Sequence, residues 1–224
     1  MQDRRVRDYF TRDAKRFDNI YEEGRQPSLL QRLVDVLFRR RELRQRAEAC
    51  LRGVGDAGRV LEIGCGSGRV AVAMAQAGVE NVTGIDFSHE MCRLAKRMAE
   101  RSGQDERCRF VCASAEAFEA AEAFDAVVAM GVFDYVDDAP GMLRKMAALS
   151  SGRIVASFPR RLMLLNLPRR LWLKTKRCPV HFYGRCRIER LFRAEDIALA
   201  DLIRIGTPPL VGSYVAVGRK NAEG

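Results

Sequence analysis

No stretch of this chain reaches the 18 or more uncharged apolar residues that a bilayer-spanning helix needs, so no transmembrane segment is expected. The opening MQDRRVRDYF is charged throughout and lacks the apolar core of a secretory signal. There are two histidines, His89 and His181, far apart, and seven cysteines (Cys50, Cys65, Cys92, Cys108, Cys112, Cys178, Cys186) with no Cys-x-x-Cys pair. Metal-ligand spacing is therefore missing, and no metal is expected. An odd cysteine count without a secretory signal reads as reduced thiols of a cytoplasmic protein, most of them small buried hydrophobes. Internal repeats are absent as well, which excludes solenoid architectures.

What is present is enough for one well-packed domain: 224 residues, 47% apolar and 30% charged, a composition outside the disordered range. The net charge of +10 is unevenly placed. Residues 158–193 hold eleven bases (Arg160, Arg161, Arg169, Arg170, Lys174, Lys176, Arg177, Arg185, Arg187, Arg190, Arg193) against the single acid Glu189. That surplus equals the net charge of the whole chain, so the rest is neutral. A basic block in a neutral body points to a local site for something anionic.

Along the chain, residues 1–58 read as a helical segment, with Leu29, Leu30, Leu33, Val34, Leu37 and Phe38 at helical spacing after the start signal Pro27-Ser28. From residue 59 short β-type runs alternate with helical stretches. The predicted strands are 59–63, 82–85, 108–112, 124–130 and 152–158; the predicted helices are 70–77, 89–101 and 141–149. Residues 198–205 and 213–218, on either side of Pro208-Pro209, read as a closing hairpin. This alternation predicts an α/β fold, a doubly wound, mostly parallel seven-stranded sheet with N-terminal helices and a C-terminal antiparallel hairpin. Residues 59–224 form the main domain and 1–58 a helical segment ahead of it.

The sharpest motif is Val60-Leu-Glu62-Ile-Gly64-Cys65-Gly66-Ser-Gly68, where the first strand hands over to a helix. Glycines there let the backbone turn tightly and approach a ligand. A nicotinamide-type Gly-x-Gly-x-x-Gly loop would carry its third glycine at position 69, which is Arg69. Glu62, just before the loop, suits a cationic partner better than a pyrophosphate. Asp86 ends the second strand 22 residues after Gly64, where a carboxylate accepts ribose hydroxyls. The third strand leads into Ser114-Ala115, and the fourth ends in Met130-Gly131-Val132-Phe133-Asp134-Tyr135. Residue by residue, plainer readings stand beside these: Phe87 and Met91 suit core packing, and Asp86 or Ser88 suits a helix N-cap.

The ordered set LEIGCGSG, Ile85-Asp86 with Phe87 and Met91, FVCASAEAF and FDAVVAMGVFDYV resembles the class I S-adenosylmethionine-dependent methyltransferases, closely over residues 59–158. That resemblance implies a Rossmann-like methyltransferase fold, S-adenosylmethionine as cofactor, and transfer of its methyl group. It implies that Gly64, Cys65 and Gly66 meet the cofactor's aminoacyl end, with Glu62 supporting the loop or the ammonium. Asp86 would bind the ribose, Phe87 and Met91 the adenine, and Met130, Gly131 and Val132 the floor beneath the sulfonium. Ser114 departs from the Asp often found at its position, with Ala115 beside it offering backbone. In such enzymes an N-terminal segment often closes as a lid, which makes Phe17 and Tyr21 wall residues.

Methyl transfer is an in-line displacement, so alignment and water exclusion come first, and a base is needed only where the acceptor must lose a proton. The candidates are His181, in Pro179-Val-His-Phe-Tyr-Gly184, and Asp134 with Tyr135. Cationic neighbours in sequence would favour a neutral imidazole at His181. A packed structural role is the plainer reading of that histidine.

Leu, Met and the single Trp172 interleave with cations in the basic block, which fits a small, anionic and partly apolar acceptor, methylated at oxygen. Its RRLMLLN, with VRDYFTRDAKRFDNIYEE near the start, is similar to magnesium-protoporphyrin O-methyltransferases, whose substrate is an apolar tetrapyrrole bearing carboxylates. The alternatives are an RNA methyltransferase docking through residues 158–193, and a binding module that transfers nothing. Peripheral contact with a membrane surface is compatible with the same segment.

Overall fold

The structure is a computed structural model that describes residues 40–161, 163, 179–209 and 211–220. The expected helix after Pro27, the aromatics Phe17 and Tyr21, and Leu162 and 164–178 of the basic block lie outside the described residues. Helix α1 spans Arg40–Val54, β1 Arg59–Ile63, α2 Arg69–Gln76, β2 Asn81–Asp86, α3 His89–Arg101 and β3 Cys108–Cys112. They are followed by β4 Phe124–Ala129, α4 Ala139–Leu149, β5 Ser150–Pro159, α5 Arg185–Ala194, β6 Ile197–Thr207 and β7 Val211–Lys220.

The seven strands form one sheet in the order β3-β2-β1-β4-β5-β7-β6. β1 to β5 are parallel, and β7 enters antiparallel between β5 and β6. Central strands covered on both faces read as nearly continuous apolar runs. In β4 every residue but Asp125 is buried. Leu61, Ile63, Val127, Ala129, Ile154 and Ala156 belong to one core with Met142, Leu143, Ile188 and Phe192 of α4 and α5. Their neighbours in sequence, Val60, Val128 and Val155, belong to a second core with Ala49, Cys50, Ala71 and Met74 of α1 and α2. The two-residue strand period thus builds two cores from one sheet.

Local signals set the helix starts. Ser88 caps α3, its hydroxyl accepting from the Met91 N–H at 3.4 Å. Asp138 caps α4 by accepting from the Gly141 N–H at 2.9 Å, with Pro140 in the first turn, where no donor is required. The strand predicted over 124–130 stops at Ala129, because the chain turns at Gly131 with φ 81°. β5, β6 and β7 all run longer than the sequence pattern indicates. Their pairing extends to Pro159↔Ser213 and Thr207↔Val211, and the Leu199/Asp201 register shift interrupts the alternation that would have marked β6.

Two features place the site. The strand order reverses at β1 and β4, whose carboxyl ends open a crevice of the kind in which such sheets bind ligands. Helix α1 descends from that rim to the sheet's base. Near its start the Gln45 carboxamide accepts from Gly206 N–H at 2.7 Å, and at its end the Val54 carbonyl accepts from Arg153 at 2.6 Å.

Candidate active site

The loop between β1 and α2 is held from both sides. Gly64 and Cys65 donate their N–H groups to the Ile85 carbonyl at 2.8 and 3.0 Å. Gly64 has φ 68°, and a Cβ there would lie 2.6 Å from Val132 Cγ2, so the β1 and β4 loops touch where a side chain is excluded. Gly66, with φ 52°, has open space where its Cβ would be. A tight turn with a bare, open backbone is a cradle for a ligand.

Asp86 ends β2 and is 8% exposed. Its Oδ2 accepts from Gly66 N–H at 3.1 Å and its Oδ1 from Ser88 N–H at 2.9 Å. One carboxylate therefore ties the glycine loop to the start of α3 and keeps lone pairs for further donors. Burial raises its pKa, while the Ser88 and Gly66 N–H groups oppose the shift. Glu62 is 2% exposed, and its Oε2 has no hydrogen-bond partner. Burial pushes its carboxyl well above the usual range; a bond from the Ala71 backbone opposes this and the charge of Asp86 adds to it. An orphaned buried carboxyl oxygen beneath an open glycine turn calls for a donor or a cation.

Other predicted residues follow the carboxyl ends of β2, β3 and β4. Phe87 is half-buried, and Met91 packs with Leu94 in a small cluster apart from the two main cores. Ala115 is buried, whereas Ser114 is half-buried with its hydroxyl accepting from Ala117 N–H at 3.3 Å, so it shapes the turn after β3. Met130 and Val132 are buried, and Gly131 N–H donates to Ser157 Oγ at 2.7 Å. Burial pushes the thiol of Cys65 well up, that of Cys92 up to about 12 and that of Cys108 up to about 11, leaving them protonated packing groups. Among the described residues no group of three His, Cys, Asp or Glu side chains could hold a metal ion.

At the far rim, residues 179–183 lie across the loop that follows β4. His181 N–H donates to the Asp134 carbonyl at 2.8 Å, and Tyr183, fully buried, donates its hydroxyl to the Phe133 carbonyl at 3.2 Å. Burial raises the Tyr183 hydroxyl to about 12, against the Arg187 charge. Asp134 is buried and Tyr135 half-buried. The partner of the His181 ring is Asp137, with Nε2 and Oδ1 2.9 Å apart. Nothing local marks that pairing, because 44 residues separate the two.

A second residue escaped sequence reasoning. Arg46 of α1 has only 18% of its side chain exposed. One terminal nitrogen bonds Glu42 at 3.3 Å and Ser213 Oγ at 3.4 Å, while Nε is buried without a partner. A Cβ on Gly131 would lie 3.1 Å from its other terminal nitrogen, so the guanidinium stands beside the β4 turn. In sequence Arg46 is one of many arginines on a polar helix; only the descent of α1 from the rim singles it out. Within the basic block, the described Arg160 and Arg187 lie over the rings of Tyr214 and Tyr183, 5.4 and 4.6 Å from their centroids.

Residues 60–151 match the model of a family described as a methyltransferase domain. Ubiquinone biosynthesis O-methyltransferase of Bordetella avium is 38% identical over 91 residues, 41% of this chain and 37% of that protein. The enzyme of that name from Rhodopseudomonas palustris is 36% identical over 117 residues, covering 51% and 43%. The chain thus spans less than half the length of these curated relatives. Among solved structures, the magnesium protoporphyrin IX methyltransferase of Synechocystis with bound SAH superposes with a TM-score of 0.77 at 21% identity, over 96% of this chain and 98% of that one. The N-methyltransferase NodS of Bradyrhizobium japonicum, also with SAH, gives 0.68 at 18%, covering 96% and 100%.

Sheet order, motif order and family match define the class: the chain has the class I S-adenosylmethionine-dependent methyltransferase fold. Residues 60–151 carry its match to the methyltransferase-domain model, and the β1, β2 and β4 ends bring together the buried Asp86 carboxylate and the unpartnered Glu62 Oε2.

Proposed function

We propose that this protein transfers the methyl group of S-adenosylmethionine to an oxygen of a small, anionic and partly apolar acceptor. The observation that carries the reading is Asp86, a buried carboxylate bonded to the glycine-loop backbone with acceptor capacity left over. When bound, the cofactor supplies an electrophilic methyl on a sulfonium. In this reading Asp86 accepts from the ribose hydroxyls, and Phe87, Met91, Ser114 and Ala115 surround the adenine. Gly64, Cys65 and Gly66 hold the aminoacyl end over Glu62. Arg46, the cation against Gly131, takes the cofactor's carboxylate. Met130, Gly131 and Val132 floor the reacting centre. His181, Asp134 and Tyr135 stand at the acceptor rim. The surplus of arginines in 158–193 and the O-methyltransferase names of the curated relatives support an anionic acceptor methylated at oxygen.

Calorimetry with S-adenosylmethionine tests this directly. Wild type binds, and Asp86→Ala weakens binding at least about tenfold, the equivalent of ~1.4 kcal/mol. Wild-type protein that gives neither heat nor thermal stabilisation, or an alanine variant that binds like wild type, would sink the reading.

A further inference from the structure

We propose that Asp137 and His181 form a proton-accepting pair, which makes the acceptor a hydroxyl compound; the inference rests on the methyltransferase reading above. Three observations join. The Asp137 carboxylate lies 2.9 Å from His181 Nε2. The His181 backbone is fixed to Asp134 at 2.8 Å, within the loop that leaves β4 at the crevice. Tyr183, two residues on, is buried and bonded to the Phe133 carbonyl of that loop, so ring and carboxylate sit on two segments tied together at a second point. The imidazole side chain keeps 27% of its surface exposed, which leaves room for an acceptor to reach it.

A carboxylate can only accept, so in the neutral ring Nε2 carries the proton and Nδ1 is the acceptor. An acceptor hydroxyl gives its proton to Nδ1 while an oxygen electron pair forms the new O–C bond. The C–S pair stays on sulfur, so atoms and charge balance. A carboxylate acceptor, already ionised at neutral pH, has no proton to give and needs no such pair. Asp137 is a positioning residue here; His181 is the group that meets the acceptor. Of the charged and titratable groups nearby, Asp137 meets the ring itself, the Asp134 carbonyl holds its backbone, and Arg160, Arg161 and Arg187 meet Tyr183 two residues on.

The chain has two histidines, which makes the test clean. Imidazole nitrogen NMR, assigned with His181→Asn, should show His181 as the Nε2–H tautomer in wild type and a mixture of tautomers in Asp137→Asn. In parallel, formation of S-adenosylhomocysteine is followed with two probes, 3,4-dihydroxybenzoate and phthalate, which has carboxylates but no hydroxyl. Only the hydroxyl probe should be methylated, as an ether. His181→Asn should lower kcat by ~100-fold or more. Asp137→Asn should lower it at least about tenfold with KM little changed and an altered pH profile, and Asp137→Glu should restore part of the loss. A methyl ester as product, or wild-type kcat in both variants, overturns the proposal. If neither probe reacts, the NMR decides: an unchanged tautomer in Asp137→Asn overturns it. Loss of wild-type cofactor binding would instead refute the methyltransferase reading, and calorimetry on the same samples separates the two failures.

Discussion

Glu62 shows what one side chain costs the protein before a ligand arrives. Its carboxyl is buried with an oxygen unpartnered, and burial raises its pKa well above the usual carboxylate range. An acid whose folded-state pKa is raised contributes stability at low pH that is lost as the pH rises through that value. The ligand-free protein should therefore gain from neutralising this group. Glu62→Gln is expected to melt higher than wild type at pH 7.5, and the difference should shrink as the pH falls through the ordinary carboxylate range. Thermal unfolding across that series checks it; a variant that melts lower at pH 7.5 would mean that Oε2 is satisfied in the free protein. Asp86 has the same sign of shift, tempered by two backbone donors.

Among elements, the segment before α5 matters more than its sequence indicates. Residues 179–183 carry no periodic pattern, yet they bond the β4 loop through His181 and Tyr183. Tyr183 is fully buried, with its ring 5.0 Å from that of Phe158. Replacing it by phenylalanine keeps the packing and leaves the Phe133 carbonyl unsatisfied, a cost of about 1–3 kcal/mol. Tyr183→Phe is thus expected to lower the melting temperature by several degrees. Acceptor turnover should fall more than cofactor affinity, since the segment bonds the loop after β4 and not the glycine loop. Equal losses in both would show that the segment supports the fold as a whole.

For the whole molecule, charge is the distinguishing quantity. The surplus of ten bases sits in residues 158–193, and its described members on α5, Arg185, Arg187, Arg190 and Arg193, are exposed. If the acceptor is small, cofactor binding measured between 50 and 200 mM salt should change little, and Arg187→Gln with Arg190→Gln should leave it unaltered. A structured RNA probe should bind weakly. Tight RNA binding that falls by orders of magnitude over the same salt range would mark a phosphate-tracking surface and shift the acceptor class to nucleic acid. Among the described residues no helix is long and apolar enough to cross a membrane.

The alternation of apolar runs with amphipathic stretches was enough to yield the sheet, its hairpin and five strand positions to within a few residues, because parallel strands buried on both faces leave a continuous apolar record. Glu62, Gly64, Gly66, Asp86 and Met130 to Val132 were legible for a related reason. Each lies at the end of a strand, and the carboxyl ends of adjacent parallel strands meet by construction. Arg46 beside Gly131, and Asp137 on His181, had no such record. Arg46 reaches the rim because α1 crosses the sheet from rim to base, and His181 reaches Asp137 because the chain after β5 folds back over the β4 loop. A sequence records what repeats locally, whereas contacts between parts with no shared period are decided by how the elements pack.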